Sequence, residues 1–501
     1  MRLPAASRQR PGRMKKPVSL RERGRAVDSL DCLPVMPGDS DVRQRLDARR
    51  REAARRWDLS RGVVLLPSGL PVPIAGTDQA HEFHSHPEHS YLAGVANPGA
   101  VLAFDPREGW TLFAHVASEE ERVWSGDSEA LEGQSLRSGL ERALPAEQLG
   151  RWLEAHRGEP VAILGNHDLR HRPGDYGVER WPALELEFDE ALAERLSAAI
   201  SEMRRTKDAG ELDAMRRAAA ASRAGHLAGM RVARAGMTER DLQIEIEVRF
   251  FRSGAARTAY GSIVGGGPNG AVLHFAPTSR VLGDGELVLV DAGAEVDGYA
   301  SDVTRTYPVG GIFQGLHRDL YQLVLGVQEQ AIAGVRPGVE YRDLHMSASQ
   351  RLADGLVQLG ILRGDPADLV ERDVHALFFP HGLGHMLGLA THDAGGCLAG
   401  RTPSDRFGLR YLRADLPLEP GYVVTIEPGI YFIPAILTNP ARRESCADAV
   451  NWELADRLLG LGGIRVEDDV LVTETGADVL TSSIPKSISA IEALRAEGLG
   501  Q

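Results

Sequence analysis

The stretch Leu287–Tyr307, LVLVDAGAEVDGYASDVTRTY, contains two runs of β-forming residues on either side of the dipeptide Asp297-Gly298. An Asp-Gly pair between such runs is typical of a tight two-residue hairpin turn. Because side chains alternate between the two faces of a strand, this turn puts Asp291 and Asp302 on one face of the hairpin, diagonally across from each other. The sequence therefore predicts two neighbouring carboxylates on a sheet.

The turn also fixes the pairing of the strands, with Val296 opposite Tyr299 and Asp291 opposite Thr304. Diagonal Cβ atoms of this kind lie roughly 7–8 Å apart or less. That separation allows Asp291 and Asp302 to hold a pair of cations about 3.5–4 Å apart. The alternative is two solvated aspartates on an exposed sheet face, although Asp is depleted in strand interiors.

A second cluster contains three histidines within twelve positions, in a chain that has only 16. His381 and His385 belong to the segment HGLGH, and His392 follows shortly after. The glycines at 382 and 384 disfavour a helix, so an extended segment is expected. A lone histidine is usually a core or surface residue without further role. Three of them beside small glycines favour a pocket in which backbone and ligand approach closely.

Two acids stand near the ends of apolar runs. Glu427 closes the run Val423–Ile426, and Pro428 restrains it to extended geometry. In GIRVEDD, alternation puts Arg465 and Glu467 on one face. Each acid alone reads as an edge-strand residue, but a buried carboxylate needs a cation or a metal to offset its desolvation. The prediction of a site therefore depends on the whole set.

The chain is long enough for more than one domain. Short apolar runs such as Val63–Pro67 and Ala100–Phe104, separated by turn-forming residues, predict a first α/β domain at 41–185. Helical patterns and then glycine-punctuated strands predict a second domain at 205–490. The first 25 residues carry nine Lys and Arg against one acid, which predicts a basic disordered tail over 1–40. A transit peptide, a nucleic-acid arm or a later start site are alternatives.

Composition excludes several classes of protein. The chain has 501 residues and a net charge of −13, which argues against a broad nucleic-acid surface. Its three cysteines are far apart and form no CxxC pair, so a disulfide scaffold is not expected and a cytoplasmic location is. No apolar run approaches the length of a membrane span.

The ordered set of acids and histidine resembles the five-ligand set of the M24 metallopeptidases. The flanking segments VDAGAEVDGYASDVTRTYPVGG, HGLGHMLGLATHD, TIEPGIY and GIRVEDD are similar to the branch that contains aminopeptidase P and prolidase. HSYLAGVANPGAVLAF is more loosely similar to the N-terminal domain of that branch. The resemblance implies an α/β protein in which a creatinase-type N-terminal domain precedes a pita-bread catalytic domain.

The resemblance also implies a site with two divalent metal ions. An oxygen-rich donor set favours Mn²⁺, with Co²⁺, Fe²⁺ or Zn²⁺ as substitutes. The implied metal ligands are Asp291, Asp302, His385, Glu427 and Glu467. Glu427 is also the implied general base. The resemblance implies catalytic roles for three histidines: His274 matches a histidine near the leaving proline, and His381 and His392 match histidines that contact the substrate and stabilise the transition state. Tyr260 and Arg413 match substrate-binding positions of the prolidase branch, and Arg465 is expected to orient a ligand carboxylate.

The implied activity is removal of the residue that precedes a proline at the N-terminus of a peptide. An Xaa-Pro dipeptidase is the nearest alternative, because Arg413 and the insert Phe432–Gly462 resemble prolidase. A non-catalytic binding scaffold is a more distant one, and it should have lost ligands that are all present here. The family resemblance further implies a homo-oligomer, a dimer or a tetramer, and no nucleic-acid or membrane partner is expected.

Overall fold

The computed structural model describes residues 39–94, 97–126, 129–165 and 188–500. The basic tail predicted for 1–40 lies outside these residues, except that helix α1 already begins at Asp39. The end of the first domain, predicted at 185, also lies outside them. Within the described ranges, no helix combines the length and the apolar character that crossing a membrane requires.

The first domain is a sheet covered by helices. Its helices are α1 (Asp39–Trp57), α2 (Pro87–Ala93), α3 (Glu119–Ser125), α4 (Leu131–Ser138) and α5 (Leu149–Glu154). Its strands are β1 (Val63–Pro67), β2 (Val101–Asp105), β3 (Gly109–Ala114), β4 (Ala143–Pro145) and β5 (Val161–Ile163). The sheet order is β4-β3-β2-β1-β5. The apolar runs that predicted strands in this region therefore do form the sheet.

Helix α6 (Glu190–Arg205) leads out of this domain and still packs on it. Asp189 caps its N-terminus by accepting a hydrogen bond from the Leu192 amide. Its apolar face, including Leu196, lies in one buried cluster with Trp57 and Phe104. Helix α6, which falls between the two predicted domains, is thus part of the first domain's core, and its basic last turn points toward the second domain.

The second domain surrounds four small sheets with helices. Its helices are α7 (Ala209–Val232), α8 (Glu239–Arg252), α9 (Gly315–Gly334), α10 (Tyr341–Gln358), α11 (Pro366–Glu371), α12 (Pro434–Leu437), α13 (Pro440–Ser445), α14 (Trp452–Arg457) and α15 (Ile488–Leu499). Its strands are β6 (Arg257–Thr258), β7 (Ile263–Gly266), β8 (Leu287–Asp291), β9 (Ala294–Val296), β10 (Tyr299–Ala300), β11 (Thr304–Pro308), β12 (Val423–Ile426), β13 (Gly429–Tyr431), β14 (Gly463–Arg465), β15 (Asp468–Val472) and β16 (Ala477–Val479). The sheets have the orders β10-β9-β6, β11-β8-β7, β12-β15-β16 and β13-β14.

The predicted hairpin has the expected register. Val296 pairs with Tyr299, and Asp291 pairs with Thr304. Both turn residues have positive φ, 51° at position 297 and 82° at position 298. This is the backbone that a two-residue hairpin turn requires and that an Asp-Gly pair tolerates. The ladder is interrupted in its middle, so the hairpin contributes to two sheets instead of one.

Two other local predictions have different outcomes. The segment from His381 to His385 is extended, as its glycines indicated. The segment GIRVEDD is not one strand, because it divides into β14 and β15. Val466 and Glu467 stand between them, so strict alternation does not apply there, although Arg465 and Glu467 both contact Thr304.

Candidate active site

Five residues from separate segments converge where the small sheets meet. Asp291 ends β8, and Asp302 follows β10 across the interrupted hairpin. Glu427 follows β12, and Glu467 lies between β14 and β15. His385 comes from the extended segment, which pairs with β12 through Met386 and Val424.

The two aspartates share one hydrogen-bond partner, and His385 lies close to two of the acids. The Tyr260 hydroxyl lies 2.6 Å from Oδ1 of Asp291 and 2.6 Å from Oδ1 of Asp302. Nε2 of His385 lies 3.4 Å from Oδ2 of Asp302 and 3.6 Å from Oε1 of Glu427. The diagonal placement expected from the hairpin therefore brings the carboxylates together.

The imidazole of His385 is oriented by its other nitrogen. Nδ1 lies 3.0 Å from the Met386 carbonyl oxygen, which can only accept a hydrogen bond. When the ring is neutral, as a metal-binding histidine must be, its proton is therefore on Nδ1 and the lone pair of Nε2 faces the carboxylates. This is the arrangement by which proteins fix a metal-binding histidine.

Arg465 connects the acids to a second histidine. Its guanidinium donates to Oδ2 of Asp291 at 2.5 Å, to Oγ1 of Thr304 at 2.9 Å and to the Tyr431 hydroxyl at 2.8 Å. The Thr304 hydroxyl in turn donates to Glu467 at 2.6 Å. The Tyr431 hydroxyl lies 2.8 Å from Nε2 of His381.

Burial and mutual repulsion disfavour charge on three of the four acids. Burial raises the pKa of Glu427 to about 7 despite the charges of His385 and Arg465. Burial raises the pKa of Glu467 well above its usual range, and the charges of Asp302 and Glu427 add to the shift. The pKa of Asp291 is also raised by burial. Four clustered carboxylates with one arginine and one histidine thus lack positive charge.

The donor set fits divalent cations. Asp302, His385 and Glu467 each offer a ligand atom, and these atoms all lie within 4.8 Å of one another. Carboxylate oxygens with one imidazole and no thiolate suit hard divalent ions. Such ions would supply the missing positive charge, which is the usual way in which buried carboxylates are retained.

Two connected cavities reach this cluster, with volumes of about 490 Å³ and 520 Å³. Both are lined by His274, Asp291, Asp302 and His392. The first also contains His381, Arg413, Arg465 and residues of the insert, and the second contains Tyr260. The structure therefore gathers every residue predicted for the site around one space.

His392 and Arg413 contact each other in this space. The Arg413 guanidinium lies 3.1 Å from Nδ1 of His392, so this nitrogen accepts and Nε2 carries the proton. The His392 and His385 rings lie edge to face with centroids 4.5 Å apart. Burial lowers the pKa of His392 to about 3, and the charges of His385 and Arg413 add to the shift. The ring is neutral at neutral pH and offers an N–H.

The comparisons with known proteins agree with this geometry. The model of metallopeptidase family M24 matches residues 213–474, a range that includes all five converging residues. The chain belongs to metallopeptidase family M24. The model of the aminopeptidase P N-terminal domain matches residues 46–161, so the two-domain α/β architecture predicted from the resemblance is confirmed. Divalent metal ions are the cofactors that membership of M24 implies.

Curated relatives of this M24 protein include probable Xaa-Pro aminopeptidases of fungi. The one from Aspergillus terreus is 34% identical over 447 residues, which cover 86% of this chain and 92% of the relative. The one from Paracoccidioides brasiliensis strain Pb18 is 32% identical over 462 residues, covering 89% and 96%.

Solved structures of aminopeptidases superpose on most of the M24 chain. Pseudomonas aeruginosa aminopeptidase PepP is 31% identical with a TM-score of 0.76, covering 92% of this chain and 99% of that one. Aminopeptidase P of E. coli with the inhibitor Pro-Leu is 31% identical with a TM-score of 0.75 and the same coverage. A zinc-substituted form of the E. coli enzyme, in complex with product, has 30% identity and a TM-score of 0.75.

Sequence reasoning missed three residues that support the cluster. Thr304 and Tyr431 join Arg465 to Glu467 and to His381. Asp469 accepts hydrogen bonds from the Asp302 amide and from the Ser301 hydroxyl. Thr304 could have been found from the hairpin register, which sets it opposite Asp291. The other two contacts join segments that no local pattern connects.

Proposed function

We propose that this M24 protein is a metal-dependent Xaa-Pro aminopeptidase, which hydrolyses the peptide bond between an N-terminal residue and a following proline. The observation that carries the proposal is the buried cluster of four carboxylates and His385 at the meeting point of two cavities. The name shared by its relatives, at 32–34% identity over most of the chain, supports the same activity.

The proposed metal ligands are Asp291, Asp302, His385, Glu427 and Glu467. Two divalent ions held there would lower the pKa of a bound water and polarise the scissile carbonyl. Mn²⁺ is the favoured metal because four of the five ligands are hard carboxylates. Arg465 holds Asp291 through a charge-assisted hydrogen bond and thereby fixes the direction of its second oxygen.

Glu427 is the proposed general base. Its carboxylate lines the cavity beside His381 and would take a proton from the attacking water. The bond that breaks is a tertiary amide, so proline offers no N–H to recognise and its nitrogen must gain a proton to leave. His392, whose Nε2 carries a proton in the cavity, and His274 are the proposed contacts to the leaving proline.

The roles of His381 and Tyr260 are proposed from their contacts. Nδ1 of His381 donates to the Gly382 carbonyl at 2.8 Å, so Nε2 accepts from Tyr431. Both nitrogens are engaged, which holds this ring as a fixed wall of the cavity. The Tyr260 hydroxyl contacts both Asp291 and Asp302, so it would hold the two carboxylates at a fixed separation, and Tyr260 also lines the second cavity.

The proposal is tested with matched peptides. The metal-loaded protein should cleave Xaa-Pro-Yaa and release Xaa, and kcat/KM for Xaa-Ala-Yaa should be at least about tenfold lower, a difference of about 1.4 kcal/mol. Equal values for the two series would identify the protein as a general aminopeptidase.

Two further proposals have their own tests. Molecular mass measured by light scattering would test the proposed dimer or tetramer, and cell fractionation would test the proposed cytoplasmic location.

Xaa-Pro dipeptidase activity is the second candidate. It is favoured by Arg413, which lies in the cavity beside His392 and could pair with a carboxylate directly after proline. If Xaa-Pro is cleaved and its extension by two residues is not, and if Arg413→Ala raises KM for the dipeptide, the protein is a dipeptidase.

A further inference from the structure

One wall of the active-site cavity comes from the insert between the two glutamate ligands. Ile433, Ile436 and Arg442 line it. Ile433 directly precedes α12, Ile436 belongs to α12, and Arg442 belongs to α13. Phe407 and Tyr411 form the adjoining part of the wall. The insert therefore helps to shape the space that a substrate enters.

Arg442 is held in place at this wall by an aromatic ring. Its guanidinium carbon lies 3.8 Å from the centroid of the Phe407 ring, a stacked cation–π geometry. Its backbone amide donates to the side chain of Asn439, which caps helix α13. The side chain is half-buried, so it is positioned while its N–H groups stay available.

The next residue shows the opposite arrangement. Arg443 forms two hydrogen bonds with Asp456, at 2.7 and 3.0 Å, and stacks on Trp452. For Arg442, no described carboxylate lies within the 4.0 Å of an ion pair. Arg443 is thus held in an ion pair within the insert, while Arg442 presents a positive charge to the cavity.

A peptide in this cavity has one anionic group that does not depend on its sequence, namely its C-terminal carboxylate. The N-terminal residue lies at the metal ligands, and Arg413, beside His392, is the arginine that a carboxylate directly after proline would meet. Each further residue extends the chain by at most about 3.3–3.6 Å. A third residue therefore moves the carboxylate beyond Arg413, and Arg442 is a further guanidinium in the lining of the same cavity.

We propose that Arg442 binds the C-terminal carboxylate of short Xaa-Pro-Yaa peptides, and that this contact makes the M24 enzyme favour such peptides with a free C-terminus. The proposal rests on the proposed function. The planar guanidinium can donate to both carboxylate oxygens side by side, and its stacking on Phe407 reduces the side-chain entropy lost on binding.

The test compares Ala-Pro-Ala with its C-terminal amide on the metal-loaded protein. Amidation should lower kcat/KM about tenfold or more in the unmodified protein, mainly through KM, since a hydrogen-bonded charge is lost from binding. Arg442→Gln should abolish this difference. Arg443→Gln removes the same charge from the neighbouring position and should keep it, and Arg442→Lys should keep part of it.

Three results would overturn the proposal: no amidation effect in the unmodified protein, an effect of equal size in Arg442→Gln, or its loss in Arg443→Gln. Loss of the effect in Arg413→Gln with retention in Arg442→Gln would assign the carboxylate to Arg413 instead. If the unmodified protein cleaves no Xaa-Pro peptide at all, the proposed function fails. If it does cleave them, the amidation series decides on Arg442 alone.

Discussion

The Glu427 side chain faces both the metal-binding residues and the open cavity. It lies 3.6 Å from His385, on the metal-binding side, and 3.8 Å from Nδ1 of His381, on the cavity side. Its peptide N–H donates to the Leu383 carbonyl at 2.8 Å, so the backbone is fixed independently of the carboxylate. A substitution that keeps the shape of the side chain should therefore change the chemistry and leave the fold intact.

We expect Glu427→Gln to lower kcat by at least about a hundredfold, because an amide cannot accept the proton of the attacking water. Metal affinity should fall as well, since the amide carries no charge. The measurements are steady-state kinetics, metal content and thermal unfolding. Glu474→Gln, at an exposed position, is the control and should keep full activity. Near-normal kcat with both metals bound would assign the base to another group.

The extended segment that carries His385 depends on a glycine. A Cβ atom on Gly384 would lie 2.2 Å from the Thr425 carbonyl oxygen and 2.4 Å from the Tyr341 hydroxyl. Such a contact requires the segment to move away from β12. The Thr425 amide and the His385 carbonyl are hydrogen-bonded at 2.9 Å, so this movement also displaces the imidazole.

Gly384→Ala should therefore destabilise the fold by about 1–3 kcal/mol, the usual cost of overpacking, and weaken metal binding. Thermal unfolding and metal titration would measure the two effects. Gly460→Ala is a suitable control, because a Cβ there meets nothing within 4 Å. If Gly384→Ala bound metal as tightly as the unmodified protein, the close approach would not position His385.

The elements of the site could be predicted from sequence where local rules determine them. The Asp297-Gly298 turn fixed the register that pairs Asp291 with Thr304, and the glycines fixed the extended histidine segment. The break inside GIRVEDD was not predicted, since β14 pairs with β13 while β15 pairs with β12. Such a change of partner depends on strands that are distant in sequence. The contacts of Arg465 were equally out of reach of local patterns.

The activity of the protein depends on cations bound at the buried carboxylate cluster. Since the cluster of buried carboxylates has too little positive charge of its own, we expect dialysis against a chelator to abolish activity. Mn²⁺ or Co²⁺ should restore it, and metal analysis should find about two ions per chain. Metal should also raise the unfolding temperature, because a ligand that binds only the folded state stabilises it. Full activity in metal-free protein would exclude the two-metal mechanism, and a chain that bound no metal would favour the scaffold.

The two domains are joined through ion pairs beside the segment that carries His392. Arg204, in the last turn of α6, forms ion pairs with Glu88 of the first domain and with Asp393, which directly follows His392. Nζ of Lys207 lies 3.2 Å from Oδ2 of Asp393 and also donates to the Arg204 carbonyl at 2.7 Å. Asp393 is buried between these two cations. The link therefore connects the first domain's core to the segment that presents His392.

We expect Asp393→Asn to destabilise the protein by about 3–5 kcal/mol, because it leaves two buried cations with less compensation. Although burial opposes the shift, the charges of Arg204 and Lys207 lower the pKa of Asp393. This carboxylate therefore stabilises the fold above the usual Asp pKa of about 4, and its contribution is lost as the pH falls below that value. The variant should therefore show a smaller loss of unfolding free energy at acid pH than the unmodified protein.

The control is Asp297→Asn, which breaks an exposed ion pair with Arg217 and should cost less than about 1 kcal/mol. Thermal unfolding between pH 3 and 8 tests both variants, and equal destabilisation by the two would show that the buried ion pairs stabilise the fold no more than an exposed one.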